Sequence, residues 1–418
     1  MVQTTDVLVV GAGPAGAAAA IRLARAGRDV MVIDKATFPR DKCCGDGLTT
    51  EALRLLEGLG LRPDTVENWN GVTDILIRDP RGREMTLPLP RNGHYAAVVP
   101  RLDLDARLVD VARAQGATLR EGVGFTGIDQ RADRVIVHTT TGETVHARYL
   151  IAADGMWSPV RKAVRACEGG YRGEWHAFRQ YFSNVGPKAQ HLVVWFEEDF
   201  LPGYAWSFPL PGQRANVGFG IMRGDRHRVQ DMKRLWSELL EREHVRDVLG
   251  PEAAPEGNHK AWPIPARIDR LPLTAGRTLF VGDAAAATDP MTGEGIAQAL
   301  STGTAAAEAI NAAGAQRSVV ATTRYEAAVE QALFADHRFA RALSRVLRSP
   351  RGATAALHAA DLTPWTRRNF ARWMFEDYPR ALVFTPRRWH RGMFTAPGAY
   401  RDPILSLDAG AQALSHLG

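Results

Sequence analysis

Gly11-Ala12-Gly13-Pro14-Ala15-Gly16, Asp154-Gly155 and Gly282-Asp283-Ala284 are the segments of this 418-residue chain whose residue types and order suit a charged cofactor. In the first, Gly11 allows a tight turn, Gly13 lets the backbone approach a pyrophosphate, and Gly16 lets strand and helix pack closely. A helix opening at Ala15 turns its amide-rich end toward the phosphate charge. Asp34, followed by Lys35, closes the next apolar run. A carboxylate there bonds adenosine ribose hydroxyls and disfavours a 2′-phosphate. Strand, turn, helix, strand and acid in register form a dinucleotide signature far more specific than the glycines alone.

The later segments decide which dinucleotide. Asp154 and Gly155 begin a D-G-x-x-S-x-x-R turn that runs through Ser158 to Arg161. Asp283 ends a further strand-like run and is placed to accept hydrogen bonds from ribitol hydroxyls. A nicotinamide dinucleotide has no ribitol, so the expected cofactor is FAD. Pro290-Met291-Thr292-Gly293-Glu294-Gly295-Ile296 then opens a long helix. Its first amides are expected to face the flavin N1/C2 edge, where negative charge gathers on reduction. Gly282, Gly293, Gly295 and Ile296 therefore join the candidate FAD contacts.

Two further segments bear on reactivity. In Lys42-Cys43-Cys44-Gly45-Asp46, the Cys44 thiol is protonated near neutrality and is a candidate proton relay on the flavin face. It reads equally as a small packing residue. Lys42 suits a diphosphate or a reduced flavin, or is an exposed loop charge. Tyr204 and Trp206 alternate with Ala205, so both rings face one side of a strand, as an aromatic wall or as sheet core. His94, His176 and His191 lack ligand spacing, so no metal is expected.

The three FAD segments together resemble the FAD-binding family that includes aromatic hydroxylases, flavin halogenases and geranylgeranyl reductases. Arg101-Leu102-Asp103-Leu104-Asp105 is similar to that family's FAD-contacting arginine segment. The cysteine loop and Tyr204-Ala205-Trp206-Ser207-Phe208-Pro209 resemble the P-x-x-K-x-C-G and Y-x-W-x-F-P segments of geranylgeranyl reductases. The resemblance covers about residues 1–310. It implies an FAD-dependent reductase that saturates isoprenoid C=C bonds of geranylgeranyl diphosphate, prenyl lipids or a menaquinone tail. By the same resemblance Cys44, Tyr204 and Trp206 stand at the reacting face, and Cys44 and Gly45 touch the flavin. Cys43 is an extra thiol beside the motif position, and the halogenase W-x-W-x-I-P segment differs from residues 204–209 at both ends. Two other classes stay open: a flavin monooxygenase or halogenase of secondary metabolism, and a flavoprotein that only carries a lipid. No second nucleotide-binding glycine motif exists, so the electron donor is left between NADPH and ferredoxin.

The expected fold is α/β: a Rossmann-like FAD-binding domain with an inserted α+β substrate domain (mixed/antiparallel sheet) and a C-terminal helical region. Residues 1–70, 100–165 and 265–325 form the first, residues 71–99 and 166–264 the second, and residues 326–418 the third. A charged helix over residues 228–243 interrupts the inserted sheet. In the C-terminal region Phe339, Leu343, Val346 and Leu347 share one helical face, and Arg338, Arg341, Arg345 and Arg348 share the other. Trp365, Trp373 and Trp389 follow among Arg367, Arg368, Arg372, Arg387, Arg388 and Arg391. Such a mixture suits an anionic membrane surface, or an apolar face packed on the FAD domain as a cap. The net charge of +6 comes without a Lys/Arg-rich arm, which argues against nucleic acid. Three cysteines make no disulfide framework, and neither a signal peptide nor a membrane-length apolar run is read. The expected location is cytoplasmic, with peripheral contact on the inner face of the membrane.

Overall fold

The computed structural model describes residues 2–313, 318–375 and 377–401. Residues 402–418 of the expected C-terminal region lie outside the described residues, as do 1, 314–317 and 376. Strands Thr278–Phe280, Thr144–Ala152, Val2–Val10, Val30–Asp34 and Thr118–Glu121 lie side by side in that order, all parallel. Every residue of Val30–Asp34 and the last four of Val2–Val10 are buried, because a parallel sheet is covered on both faces. Strands Phe125–Gln130 and Val135–Thr139 form an antiparallel hairpin that pairs with the first half of Thr144–Ala152, whose last residues pair with Thr278–Phe280.

Helices Pro14–Arg25 and Ile296–Ala313 pack on each other beside this sheet. Their approach is closer than any side chain allows. A Cβ on Gly303 would lie 2.1 Å from the Ala15 carbonyl oxygen, and one on Gly16 would lie 1.8 Å from that of Gly11. Small residues here bring the glycine turn and the start of the second helix to the same end of the sheet.

The second sheet has seven strands, ordered Ala254–Ile264, Trp175–Ser183, Arg214–Met222, Tyr204–Leu210, Leu192–Trp195, Asp74–Arg78 and Glu84–Pro88. It is antiparallel except where Leu192–Trp195 meets Asp74–Arg78. Alternation gives it two unlike faces. Phe178, Val217 and Phe219 pack with Leu235, Trp236 and Leu239 under a helical cover. The charged helix expected over residues 228–243 is in fact two, Met232–Leu240 and Glu243–Leu249. They part at Arg242, whose backbone is extended and whose guanidinium pairs with Glu197 and Asp199. Tyr204, Trp206 and Phe208, on the opposite face, look into the space shared with the FAD-binding sheet.

Helices Ala335–Leu347, Pro350–Ala360 and Pro364–Met374 close that space from the third side. They reach beyond the FAD-binding domain. His337 bonds the Ala287 carbonyl at 3.1 Å and Arg341 pairs with Asp269, but Leu357 and Ala371 join the core of Ile75, Leu87, Leu192 and Val194. Two positions depart from the helical-face reading. Arg341 turns inward to Asp269, and Val346 is 54% exposed.

Candidate functional site

One cavity of about 950 Å³ lies between the two sheets and the C-terminal helices. Its wall contains Gly11, Gly13, Ala15, Asp34, Lys35, Cys44, Gly45, Arg101, Asp154, Gly155, Gly282, Asp283, Gly293, Gly295 and Ile296. Of the expected FAD contacts only Gly16 is missing from the wall; it sits behind the turn, where its lack of a side chain permits the close packing described above.

These residues fit a flavin dinucleotide. Gly11 has a φ of 102°, a left-handed conformation suited to glycine. Asp34 is held rigidly, its carboxylate oxygens accepting from the amides of Ala12 at 2.7 Å and Ala36 at 2.8 Å. Arg101 is clamped by both oxygens of buried Asp105 at 2.7 Å, and Arg40 reaches the same carboxylate at 3.1 Å. A Cβ on Gly13 would lie 3.4 Å from Arg40 Nη2 and 3.8 Å from Arg101 Nη2. Two guanidinium groups thus flank the turn, which is the charge a diphosphate needs.

The other two segments play different parts. Asp154 takes the Val160 amide at 2.9 Å, and Arg161 donates to the carbonyls of Ala284, Ala166 and Pro272. The D-G-x-x-S-x-x-R turn therefore braces the Gly282–Ala285 segment against the first sheet. Asp283 is joined to Lys42 at 2.9 Å. Burial opposes its ionisation, but Lys42 and then Arg101 outweigh that and hold its carboxyl below the usual range.

Cys44, Tyr204 and Trp206 share the same cavity. Tyr204 and Trp206 stand 5.9 Å apart between ring centroids, and Trp206 and Phe208 are also 5.9 Å apart. The neighbouring strand makes room for them. Gly218 lies opposite Trp206, and a Cβ there would come within 2.4 Å of the indole. The Tyr204 hydroxyl donates to the Thr292 carbonyl, tying the aromatic strand to the loop before Ile296–Ala313. Gly45 rests on the aromatic row, its missing Cβ 3.4 Å from Phe208 and 3.6 Å from Trp206.

Behind the cysteine loop is a buried polar hub that the sequence reading did not single out. Asn216 Nδ2 donates to the Cys44 carbonyl and to Asp46, both at 2.8 Å, while its Oδ1 accepts from Trp206 Nε1 at 3.2 Å. Asp46 also accepts from the Tyr181 hydroxyl at 2.6 Å and the Arg101 amide at 3.3 Å. Burial pushes the Asp46 carboxyl up to about 6 against these donors and nearby Arg179. Burial, and then Asp46, push the Cys44 thiol up to about 11, so it stays protonated at neutral pH and is a weak acid. Cys43 points away, toward the Lys260 carbonyl at 3.5 Å, and burial raises it to about 12. The signal for Asn216 was its isolation as an amide in the otherwise apolar run Ala215-Asn216-Val217-Gly218-Phe219.

The start of helix Ile296–Ala313 also differs from expectation. The amides of Ile296 and Ala297 are already taken by Oε1 of Glu294, at 2.6 and 2.9 Å. The amides expected to face the flavin edge are thus shared with a carboxyl group from the same loop. The far wall is apolar: Leu192 and Val194 from the sheet, Leu343, Leu347, Leu357, Phe370, Trp373 and Met374 from the helices. Of the three C-terminal tryptophans only Trp373 lines the cavity; Trp365 and Trp389 are 62% and 54% exposed.

The family model described as FAD binding domain matches residues 4–332. Menaquinone reductase of Mycobacterium tuberculosis (strain ATCC 25618 / H37Rv) is 35% identical over 327 residues, covering 74% of this chain and 77% of that protein. Digeranylgeranylglycerophospholipid reductase 2 of Methanopyrus kandleri is 31% identical over 314 residues, covering 72% and 76%. Among solved structures, a geranylgeranyl bacteriochlorophyll reductase-like protein from Thermoplasma acidophilum superposes with a TM-score of 0.75 at 22% identity, covering 93% of this chain and all of that one.

Proposed function

Because this chain belongs to the geranylgeranyl reductase-like family of FAD-dependent oxidoreductases, we propose that it saturates C=C bonds in the prenyl tail of a lipid quinone or related isoprenoid lipid. The observation that carries this reading is the continuity of the cavity. The FAD-facing turn, the Tyr204–Trp206–Phe208 row and the apolar helical wall all border one space. Reduced FAD supplies a hydride; the chain's own residues must hold the alkene, exclude water and provide a proton. Tyr204 and Trp206 offer flat faces to a prenyl unit, and Leu343, Leu357 and Phe370 offer a dry path for the units beyond it. The reducing equivalents are assigned to a carrier that docks transiently, NADPH or ferredoxin.

The test is anaerobic. Dithionite-reduced protein incubated with menaquinone, prenyl diphosphates and prenyl lipids is expected to give a product heavier by two hydrogens per reduced bond. Absence of such a product, with substrate-dependent oxygen consumption and oxygen incorporation in a parallel aerobic incubation, would assign the site to monooxygenation instead.

The cavity's apolar lining continues to the surface. Phe370 and Trp373 in the wall lie 6.0 Å apart, Trp373 lies 6.3 Å from Phe339, and Phe339 lies 5.9 Å from Phe384, which is 73% exposed. Val383 and Trp389 beside it are 77% and 54% exposed. Arg387 and Arg391 flank them in sequence, and neither forms an ion pair among the described residues. Exposed rings among unpaired arginines match an anionic phospholipid surface, so we assign this face to peripheral contact with the inner leaflet. No helix among the described residues is long and apolar enough to cross a membrane. The protein is expected to sediment with phosphatidylglycerol-containing vesicles and not with pure phosphatidylcholine. Phe384→Ser with Arg387→Gln and Arg391→Gln should abolish this; undiminished binding by the triple variant would refute the assignment.

A further inference from the structure

We propose that Glu294 delivers the proton that completes alkene saturation, an inference that rests on the prenyl-reductase reading above. Four observations lead to it. Glu294 borders the cavity together with Cys44, Tyr204 and Trp206. Its Oε1 is fixed by the Ile296 and Ala297 amides, so the carboxyl group is oriented. No hydrogen bond engages its Oε2 among the described residues, which leaves one oxygen available to carry and give a proton. Its loop is tied to the aromatic strand, because the Tyr204 hydroxyl donates to the carbonyl of Thr292, two residues before Glu294.

The other acids of the cavity are committed or stand away from the aromatic row. Asp34 is tied through both oxygens to backbone amides, Asp41 and Asp283 to cations, and Asp46 to Tyr181, Asn216 and the Arg101 amide, while Asp154, whose Oδ1 is also unpartnered among the described residues, sits against the Gly11 turn and not on the aromatic row. The Cys44 thiol, with a pKa raised to about 11, is a poor donor at neutral pH. Glu294 is pushed up to about 7 by burial, with Asp289 and Glu51 adding to the rise against its two amide partners. Among the described residues the charged and titratable groups around this cluster are Asp289, Glu51, Tyr204 and Cys44, with Arg54, Arg380, Arg388, Asp336 and His337 acting through Asp289 and Glu51. An acid that titrates near the working pH is the effective kind of proton donor.

The step balances as follows. The Glu294 O–H bond breaks and its proton bonds the less substituted alkene carbon, using the π electron pair. Positive charge builds on the branched carbon, where the faces of Tyr204 and Trp206 can stabilise it. Bound reduced FAD would supply the hydride, with its two electrons, for the second C–H bond, and Glu294 is left as a carboxylate. Solvent reprotonates the carboxylate when product leaves.

Glu294→Gln keeps an oxygen to cap the helix and removes the transferable proton. With a prenyl substrate, kcat is expected to fall by about 100-fold or more, while FAD content and flavin reduction by dithionite stay at wild-type levels. Wild-type kcat should decline as pH rises through about 7, because the donor form of a carboxyl with a raised pKa is lost there. The variant should lack that limb. A second readout needs no turnover. A tertiary prenyl amine, cationic at the position of the developing charge, should bind the wild type about tenfold or more tighter than Glu294→Gln. Its affinity should weaken as pH falls below about 7 and the carboxyl becomes neutral. Wild-type rates in the variant, or unchanged amine affinity, would overturn the assignment. Wild-type protein that reduces no prenyl substrate would instead overturn the functional reading, and the amine measurement would still report on Glu294.

Discussion

Replacing Asn216 by leucine is expected to remove both activity and much of the stability of the inserted sheet domain. The side chain is fully buried and joins three groups: the Cys44 carbonyl, the Asp46 carboxylate and the Trp206 indole. Leucine is similar in volume, so the effect comes from stranded polar atoms and not from a cavity. Each buried group left without a partner costs about 1–3 kcal/mol, and the loss here is expected to be about 3–5 kcal/mol, in the range reserved for broken buried networks. The same change frees the cysteine loop from the aromatic strand, so flavin retention should fall as well. Denaturant unfolding and flavin content measure the two effects separately. A variant that unfolds at the wild-type midpoint and keeps its flavin would show that the hub holds nothing in place.

A phenylalanine at Ala356 is expected to separate long substrates from short ones. Ala356 lies on helix Pro350–Ala360 and borders the cavity from its helical side. A ring projecting there would occupy the space we assign to the distal prenyl units and leave the FAD-facing wall untouched. Forcing extra volume into a filled site costs about 1–3 kcal/mol, or about 5- to 150-fold in kcat/KM. That loss should appear with long-tailed menaquinone and be nearly absent with a geranyl substrate, with FAD content unchanged. Equal losses for both lengths would mean that the prenyl tail does not run along this wall.

Much of the fold was legible because it depends on local chemistry. Gly11, Gly13, Gly16 and Asp34 specify a strand–turn–helix–strand unit by backbone conformation and spacing, which neighbouring residues alone enforce. The alternation of Tyr204 and Trp206 likewise placed two rings on one face, since the period of a strand is two; the structure adds Phe208, because the strand runs on to Leu210. The helical-face reading of residues 338–348 was less successful. It could not foresee that Asp269, distant in sequence, draws Arg341 inward, or that Val346 is left exposed.

The site divides along the same line. By itself the sequence determined the cofactor class, the parallel sheet that presents it and the two segments that mark the reductase branch, because each is a short motif with a local physical requirement. Only the tertiary structure decided which groups are committed and which are available. Lys42 meets Asp283 across 241 positions, Asn216 meets the Cys44 carbonyl across 172, and the C-terminal helices meet the inserted sheet to close the cavity. Burial then set the acids and thiols apart, raising the Cys44 thiol to about 11 and the Glu294 carboxyl to about 7. Desolvation and charge pairing depend on what surrounds a group in space, and that is not encoded in its neighbours along the chain.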